Sequence, residues 1–217
     1  MTEPVPAATR EAFAASPDKF VDLLSHSLEK RQQDRKPLAV LIVDCGLVGR
    51  IDTVWGYHVG DAVRQRVASL LCTDVLRPGD FIGEYGRDEF ACVLNTVDSP
   101  TVALLAANKT LRTLNTPFWV GDEEIYANPA IGVALCPAHA DQADALLQRA
   151  RSACTLARTL PGRVSQYDAD FDLIAESKLL LDSRLRTAVA DNSLELVFQP
   201  QYDLRLGQVM GAEAILR

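Results

Sequence analysis

The chain has 217 residues, of which 48% are hydrophobic and 24% charged, and its formal net charge is -7. This composition is typical of a globular domain with a sizeable core rather than of a disordered chain. The acidic balance argues against non-specific binding of nucleic acid or of an anionic membrane surface, but it leaves room for a single nucleotide held through metal ions.

Cysteine usage and the N-terminal sequence favour a cytoplasmic protein. The five cysteines are scattered, and Cys45, Cys92 and Cys136 lie in apolar, strand-like surroundings. We therefore expect small core residues in a reducing compartment rather than disulfides. No apolar run approaches the ~20 residues that a membrane-spanning helix needs, and the N-terminus lacks the apolar core of a signal peptide. No membrane segment is expected here.

The first part of the chain predicts a helix followed by a buried strand. Residues 1–15 are rich in alanine and proline and are expected to form a loose tail or a partial helix. The sequence Ser16-Pro17-Asp18 is typical of a helix N-terminus with proline at the first helical position. The apolar run from Leu38 to Val43 is too short for a helix, so it predicts a strand that is buried on both faces and ends at Asp44.

A glycine-containing segment interrupts the helical pattern that follows. A helix is expected near Ile51, with a break from Gly56 to Gly60 and a second helix from Asp61 onward. Val63 and Val67 then recur at helical spacing and give the second helix one apolar face. The sequence thus predicts two short helices here.

The stretch from Asp80 to Phe90 predicts a β-hairpin whose turn carries adjacent carboxylates. Gly86 is expected to supply the positive φ that a short turn requires, and the apolar run that begins at Phe90 has the length of a strand. Asp88 and Glu89 would then lie where the turn meets the second strand. Taken alone, two such carboxylates are more typical of a solvated turn than of a metal site.

The remaining pattern predicts two more helices and a second hairpin. A helix is expected from Ser99-Pro100, and another over residues 142–158. The second hairpin would join residues 118–120 to residues 125–135, and residues 163–167 would form a last short strand. Because helices and strands mix without strict alternation, the fold class expected is α+β, with helices packed on a mostly antiparallel central sheet.

This arrangement gives a first indication of chemistry. In such a sheet Asp44, at the end of one strand, would lie beside the hairpin turn that carries Asp88 and Glu89. Three convergent carboxylates repel one another unless a cation lies between them. Oxygen ligands of this kind suit Mg²⁺ or Mn²⁺, which bind substrate phosphates at the same time.

Three separate motifs resemble the GGDEF family of diguanylate cyclases. The family pattern runs DxDxFKxIND, then GHxxGD, then GGDEF. The chain places Asp44 and Ile51-Asp52, then residues 56–61 (GYHVGD), then residues 86–90 (GRDEF) at matching spacing. The resemblance covers about residues 16–167. It implies a fold similar to nucleotide-cyclase palms.

The resemblance also implies a reaction that joins two GTP molecules into cyclic di-GMP and releases pyrophosphate. In the family this takes place across an antiparallel homodimer, with divalent metals, Mg²⁺ or Mn²⁺, as cofactors. Such catalysis consists mostly of positioning and of charge neutralisation. A second copy of the chain is therefore a candidate partner beside GTP and cyclic di-GMP.

The resemblance assigns roles position by position. Asp88 and Glu89 match the catalytic acids. The metal contacts would come from the same two residues together with Asp44 and the backbone of Cys45, and backbone contacts to phosphate from Leu47 and Val48. The residues that match nucleotide-binding positions are Asp52, Asp61, Arg87, Arg158 and Arg163.

Several positions depart from the family pattern. Gly46 replaces the second acid of DxD, Gly49 the phosphate-facing lysine, and Asp52 the guanine-binding asparagine. Tyr57 replaces the histidine of GH, Glu84 the arginine before the signature, and Arg87 the second glycine of the signature. Removing a charge-assisted hydrogen bond to a phosphate costs roughly 1.5 to 3 kcal/mol, so a weak or inactive cyclase is favoured over a competent one. Arg87 could offset part of this cost by reaching a phosphate, or it could fill the guanine pocket.

A second nucleotide site is indicated by Arg77 and Asp80. They stand in the register at which family members carry an RxxD site that binds cyclic di-GMP as an inhibitor. Arginine can fork onto a phosphate or a guanine edge, and aspartate can accept from guanine nitrogens. The alternative is an ordinary Pro-Gly turn with a solvated ion pair.

The C-terminal part of the sequence has a different character. Residues 169–192 are expected to form a connector helix, and residues 193–217 resemble the opening of an EAL-type cyclic di-GMP phosphodiesterase. There Gln199-Pro200 matches part of YQP and residues 213–217 match EALLR, with Glu213 as a metal ligand. Because this stretch covers only a first hairpin, no phosphodiesterase activity is expected within it.

Three functions are compatible with the sequence. The favoured hypothesis is a degenerate GGDEF domain, over residues 16–168, that binds GTP or cyclic di-GMP and regulates an adjoining EAL phosphodiesterase domain of the same polypeptide. A working diguanylate cyclase is the alternative. A dimerisation module without a ligand is the third.

Overall fold

The structure is a computed structural model that describes residues 13–14, 16–34, 36–46, 48–95, 97–120, 123–170, 181, 184–191 and 193–216. The chain divides into two compact units, Met1–Phe171 and Asp172–Arg217. In chain order the first unit contains β1 (Phe13–Ala14), α1 (Pro17–Asp34), β2 (Leu38–Asp44), α2 (Val48–Trp55), α3 (Tyr57–Leu70), a π-helical turn (Leu71–Val75), β3 (Phe81–Glu84), β4 (Glu89–Leu94), α4 (Pro100–Leu114), β5 (Phe118–Val120), β6 (Glu123–Ile125), β7 (Ala130–Cys136), α5 (Ala143–Ala157) and β8 (Val164–Gln166).

In the part of the chain that the structure describes, the first unit is built on a six-stranded sheet with the strand order β1-β3-β4-β2-β7-β8. The central strands β3, β4, β2 and β7 pair antiparallel. Both edge strands, β1 and β8, pair parallel to their neighbours. The α+β class is therefore confirmed, with a mixed sheet that is antiparallel in its centre.

Strand β2 lies in the middle of the sheet and is buried along its whole length. Leu38, Val40 and Ile42 belong to the core on the side of α1 and α5, whereas the alternate residues belong to the core on the side of α3 and α4. Successive side chains of a strand point to opposite faces, so a strand covered on both faces needs an unbroken apolar run. The expectation from the sequence is confirmed.

Helix α5 lies unusually close to β7, and this closeness fixes its position beside the end of β2. A Cβ atom built on Gly132 would lie 2.0 Å from the carbonyl oxygen of Ala150 and 2.2 Å from the amide nitrogen of Cys154. Around this contact the buried residues of the helix are small, namely Ala150, Ala153, Cys154 and Ala157. Only glycine therefore fits at this position of β7.

The break between α2 and α3 is shorter than predicted. It is a single residue, Gly56, whose φ of 87° no other residue type adopts easily. Its N–H donates to the carbonyl of Asp52, which closes α2, and its own carbonyl accepts from the N–H groups of Val59 and Gly60, which opens α3. The predicted break from Gly56 to Gly60 is wrong because one left-handed glycine suffices for both helix ends.

Two further sequence predictions need correction. The predicted strand over residues 125–135 is two strands: β6 pairs with β5 in a separate hairpin, and β7 joins the central sheet. Asn128, with φ of 43°, and Pro129, which has no N–H for a ladder, turn the chain between them. The predicted N-terminal tail contains strand β1, in which Phe13 pairs with Ile82.

The second unit contains a β-hairpin formed by β9 (Leu196–Asp203) and β10 (Gln208–Leu216). The carboxylate of Asp203 accepts the N–H groups of Arg205 and Leu206, and Gly207 takes a positive φ of 62°, so the turn is well specified. Residues 184–190 are helical. Residues 171–180, 182, 183 and 192 of the predicted connector lie outside the described residues.

The close approach of α5 to β7 leads to a test. We expect Gly132→Ala to lower the free energy of unfolding by an amount at or above the upper end of the roughly 1 to 3 kcal/mol that overpacking costs. Gly162→Ala is the matched control, since a Cβ there meets nothing within 4 Å, and we expect it to stay within about 0.5 kcal/mol of the parent. Urea unfolding midpoints give both values. Equal midpoints for the two variants would contradict the packing described.

Candidate functional site

The candidate site is built where β2 ends and β4 begins. The antiparallel register places Asp44 directly opposite Glu89, so the two side chains leave the sheet on the same face. The N–H of Cys45 donates to the backbone carbonyl of Asp88 at 2.9 Å, which ties the end of β2 to the turn between β3 and β4. The structure thus brings together the acids that the sequence predicts to converge.

Two arginines from α5 and its C-terminal end balance this negative charge. Arg158 forms ion pairs with the carboxylates of both Asp44 and Glu89, the latter at 3.5 Å. Arg151 pairs with the other carboxylate oxygen of Glu89, and its guanidinium lies 5.2 Å from the ring centre of Tyr85. Arg151 was not anticipated from the sequence. The sequence contained one signal for it. Arg151 lies seven residues before Arg158, and this spacing of two helical turns places both residues on the same helix face.

A cavity of about 490 Å³ opens at this place. Its lining combines acids, glycines and arginines: Asp44, Gly46, Gly86, Arg87, Asp88, Glu89, Arg151, Arg158 and Arg163. Arg163 also has a structural role, because its guanidinium donates to the backbone carbonyls of Asn128, Pro129 and Arg158. Opposed charges of this density suit a ligand that carries both phosphates and a cation.

The donors present fit a cation that arrives with phosphates rather than one in a cage of protein ligands. Among the described residues no group of three or more histidine, cysteine or acidic side chains is placed to hold a metal. Asp44 and Glu89 nevertheless supply two oxygen donors, and Mg²⁺ in nucleotide sites commonly uses one or two carboxylates plus phosphates and water. Burial, and then the charges of Asp44 and Asp88, raise the pKa of Cys45 to about 12, so its thiol stays protonated. Hard cations such as Mg²⁺ prefer oxygen ligands, so the backbone carbonyl of Cys45 is its group that suits such a metal.

A second, smaller cavity of about 230 Å³ lies next to the first. It is lined by Asp61, Arg64, Gln65, Glu84, Gly86 and Arg87. Asp61, the acid expected to contact guanine, forms an ion pair with Arg64 one helical turn away on α3. Its side chain remains 55% exposed, so it stays accessible to a ligand.

Asp52 and Arg87 form an ion pair with each other. The Nε and Nη2 groups of Arg87 donate to one carboxylate oxygen of Asp52 at 3.2 and 2.7 Å. The Asp52 side chain is only 2% exposed, and Arg64 lies 4.0 Å from the same oxygen. The guanidinium of Arg87 also lies over the ring of Tyr57, 5.3 Å from its centre. Neither arrangement considered from the sequence, a phosphate contact or a filled guanine pocket, anticipated this pairing.

Gly86 does not have the predicted positive φ. The left-handed glycines among the described residues are Gly46, Gly56, Gly79 and Gly207. What Gly86 provides is space, because a Cβ there would lie 3.3 Å from a carboxylate oxygen of Glu89 and 3.7 Å from Arg151. The turn can therefore pass close to the Glu89–Arg151 pair.

Asp80 stabilises the turn before β3. Its two carboxylate oxygens accept the N–H of Arg77 at 2.9 Å and the N–H of Asn95 at 2.7 Å. Burial raises the pKa of Asp80, while these backbone hydrogen bonds act in the opposite direction. The side chain of Arg77 is exposed. A site for cyclic di-GMP at this pair stays a prediction, and it would have to share Asp80 with the turn.

Comparison with known proteins identifies the class to which this fold and site belong. The sequence model of the family described as "Diguanylate cyclase, GGDEF domain" matches residues 18–161. The chain therefore belongs to the GGDEF family, a family of cyclic di-GMP signalling. The resemblance inferred from the motifs is confirmed.

Individual relatives are moderately similar. The chain is 27% identical to the bifunctional diguanylate cyclase/cyclic di-GMP phosphodiesterase MucR of Pseudomonas aeruginosa over 90% of its own length and 28% of MucR. It is 30% identical to the diguanylate cyclase TpbB of the same species over 70% of its length and 35% of TpbB. The crystal structure of the TpbB GGDEF domain superposes with a TM-score of 0.66 and covers 70% of this chain and 95% of that domain. The chain thus spans about a third or less of these curated relatives.

Within the described ranges, no helix is both long enough and apolar enough to cross a bilayer.

The turn role of Asp80 can be tested against Arg77. We expect Asp80→Ala to destabilise the fold by about 1 to 3 kcal/mol, because it leaves backbone N–H groups without their acceptor. Arg77→Ala keeps its backbone N–H and exchanges an exposed side chain, so it should change stability by no more than about 0.5 kcal/mol. Thermal or urea unfolding measures both. A larger decrease for Arg77→Ala than for Asp80→Ala would exclude the structural role.

Proposed function

We propose that this domain binds GTP in the 490 Å³ cavity, turns it over slowly or not at all, and uses its occupancy to regulate an adjoining phosphodiesterase domain. The observation that carries the proposal is the cavity lining, in which a carboxylate pair on the sheet faces arginines from α5 and from the hairpin turn. Arginine binds phosphate oxygens through paired hydrogen bonds, and carboxylates suit the accompanying cation.

Each residue has a distinct part in this proposal. Arg151 and Arg158 bind the phosphates, and Asp44 and Glu89 hold Mg²⁺ or Mn²⁺ together with the backbone of Cys45. Such a cation would neutralise charge on the phosphates. Asp61 lines the neighbouring cavity, and its exposed carboxylate is the group that would face the donor edge of guanine in a base that enters that cavity.

The charge pattern supports slow turnover. Glu84 adds a negative charge at the cavity that would receive the base, and position 49 carries glycine where the family pattern has a phosphate-facing lysine. The acids Asp44 and Glu89 already hold arginines of their own chain, so a cation and its phosphates must displace those ion pairs. Each of these features reduces stabilisation of the charge that develops in phosphoryl transfer.

A working diguanylate cyclase is the second candidate. It is supported by the four acids that match the family pattern, Asp44, Asp61, Asp88 and Glu89, and by similarity to the diguanylate cyclase TpbB. Activity of this kind would need two copies of the chain to bring two nucleotides together. Its product is easily distinguished from GTP by chromatography.

The adjoining domain is proposed to be an EAL domain. The similarity to MucR covers 90% of the chain and so must extend beyond residue 171 into the second unit, whereas the similarity to TpbB is short enough to fit within the first. The hairpin of β9 and β10 carries the residues that resemble an EAL opening, including Glu213. In this proposal residues 16–168 are the GGDEF domain, residues 169–192 the connector and residues 193–217 the beginning of the EAL domain.

Binding of GTP is the direct test. Calorimetry with GTP and Mg²⁺ should give saturable binding, and Arg151→Ala should weaken it by roughly tenfold or more, since a charge-assisted hydrogen bond is worth about 1.5 to 3 kcal/mol. Arg112→Ala, an exposed arginine of α4 that lies outside the cavity lining, is the control and should bind like the parent. Absence of heat with GTP would refute the proposal. Rapid formation of cyclic di-GMP that is abolished in Asp88→Ala would favour the cyclase instead.

Regulation requires a protein that includes the phosphodiesterase domain. We expect GTP to change the rate of cyclic di-GMP hydrolysis in that protein, with no such response when Arg151→Ala is introduced. Basal hydrolysis without GTP should be the same in the parent and the Arg112→Ala control. An identical response to GTP in the parent and in Arg151→Ala would separate the regulation from this cavity.

A further inference from the structure

Arg87 forms part of the wall between the two cavities. Besides Gly86, which has no side chain, Arg87 is the residue that lines both the 490 Å³ cavity and the 230 Å³ cavity in the described part of the chain. One cavity contains Asp44, Glu89 and the arginines Arg151 and Arg158, and the other contains Asp61. The position of the Arg87 side chain therefore determines whether a ligand can occupy both.

Contacts from another part of the fold hold Arg87 in this position. Its guanidinium donates twice to Asp52 on α2 and lies over the ring of Tyr57, the first residue of α3. The ion pair thus connects the hairpin turn to the α2–α3 junction. We call the Asp52–Arg87 pair the latch.

The buried charge of Asp52 favours the closed latch. A carboxylate that is 2% exposed needs a cationic partner, and the next cation, Arg64, lies at the limit of ion-pair distance, 4.0 Å. The other carboxylate oxygen, Oδ1 of Asp52, is buried and has no hydrogen-bond donor among the described residues. Asp52 is therefore incompletely satisfied and depends on Arg87 for the two hydrogen bonds that it accepts.

We propose that the closed latch separates phosphate recognition from base recognition, so that this domain selects ligands by their phosphates and discriminates weakly between guanine and other bases. The proposal rests on the nucleotide binding put forward above. With the latch closed, a nucleoside triphosphate places its phosphates and cation among Arg151, Arg158, Asp44 and Glu89. Its base stays outside the cavity that contains Asp61.

Weak discrimination between bases is expected from the way in which base selectivity arises. A site rejects the wrong base strongly only when its buried polar groups would be left unpaired by that base. Here Asp61 already pairs with Arg64, and Arg87 lies between the base cavity and the phosphate cavity. Contacts to phosphate are common to all nucleoside triphosphates and to inorganic triphosphate, so they contribute affinity without base selectivity.

The test compares three ligands, GTP, ATP and inorganic triphosphate, each with Mg²⁺. In the parent protein we expect their dissociation constants to agree within about threefold. In Asp52→Ala/Arg87→Gly, which opens the wall without leaving a buried charge unpaired and without introducing the guanine-binding asparagine of the family pattern, GTP should bind at least about tenfold more tightly than ATP. Such a ratio corresponds to about 1.4 kcal/mol.

Two controls isolate the guanidinium. Arg66→Ala changes an exposed arginine of α3 outside both cavity linings and should keep the selectivity of the parent. Arg87→Lys keeps a positive charge but cannot donate the same pair of hydrogen bonds, so it should shift selectivity part of the way. Thermal unfolding of every variant shows whether it is folded before its binding is compared.

The outcomes are distinguishable. If the parent already prefers GTP to ATP by about tenfold, or if the double variant is no more selective than the parent, the latch proposal is overturned while nucleotide binding stands. If the parent binds no triphosphate while the folded double variant binds GTP, recognition by phosphates alone is overturned, and so is the nucleotide binding proposed for the parent. If neither protein binds any of the three ligands, both this inference and the proposed function are overturned.

Discussion

The antiparallel pairing of β2 with β4 is the constraint on which the site depends. It sets Asp44, at the end of one central strand, opposite Glu89, at the start of the next, where both are largely withdrawn from water. Two carboxylates in such a place repel each other unless cations lie beside them. The fold supplies those cations from α5 and its C-terminal end, and the helix can approach closely because Gly132 has no side chain. The close packing of α5 on β7 thus places the arginines that neutralise the acids at the end of β2.

The substitutions in the signature motifs have a different meaning once their contacts are known. Considered one at a time, an aspartate at position 52 and an arginine at position 87 each damage a nucleotide site. In the structure they compensate each other, because the buried carboxylate accepts two hydrogen bonds from the guanidinium. Glu84 has no comparable ion pair among the described residues and simply adds negative charge to the smaller cavity. The substitutions relative to the family pattern therefore differ in their effects, and their number alone overstates the loss of favourable contacts at the site.

Local patterns were sufficient to predict much of this architecture. The unbroken apolar run of β2, the proline at the start of α1 and the hairpin before Phe90 each reflect a short-range preference of the backbone. The juxtaposition of Asp44 with the hairpin turn followed from sheet geometry. Arg151 was missed because its adjacent residues are typical of a solvated helix face and only its seven-residue spacing from Arg158 sets it apart. Its role arises from the distance between α5 and β4. The same limit applies to Gly86, whose small size matters only because Glu89 and Arg151 lie beside it.

The ion pairs at the site also bear on how ligands bind. Arg158 neutralises Asp44 and Glu89 when no other cation does. While these ion pairs persist, neither the two acids nor this arginine can bind a ligand. A divalent cation on the carboxylates would release Arg158, and a phosphate on Arg158 would release the carboxylates. Each ligand therefore removes a competitor of the other, and thermodynamic linkage requires the coupling to be equal in both directions. A cation and a phosphate that arrive together avoid the intermediate in which one charge is buried without a partner, which is the costly state. For the nucleotide binding proposed above, the same ion pairs that neutralise the acids would favour joint binding of cation and phosphate.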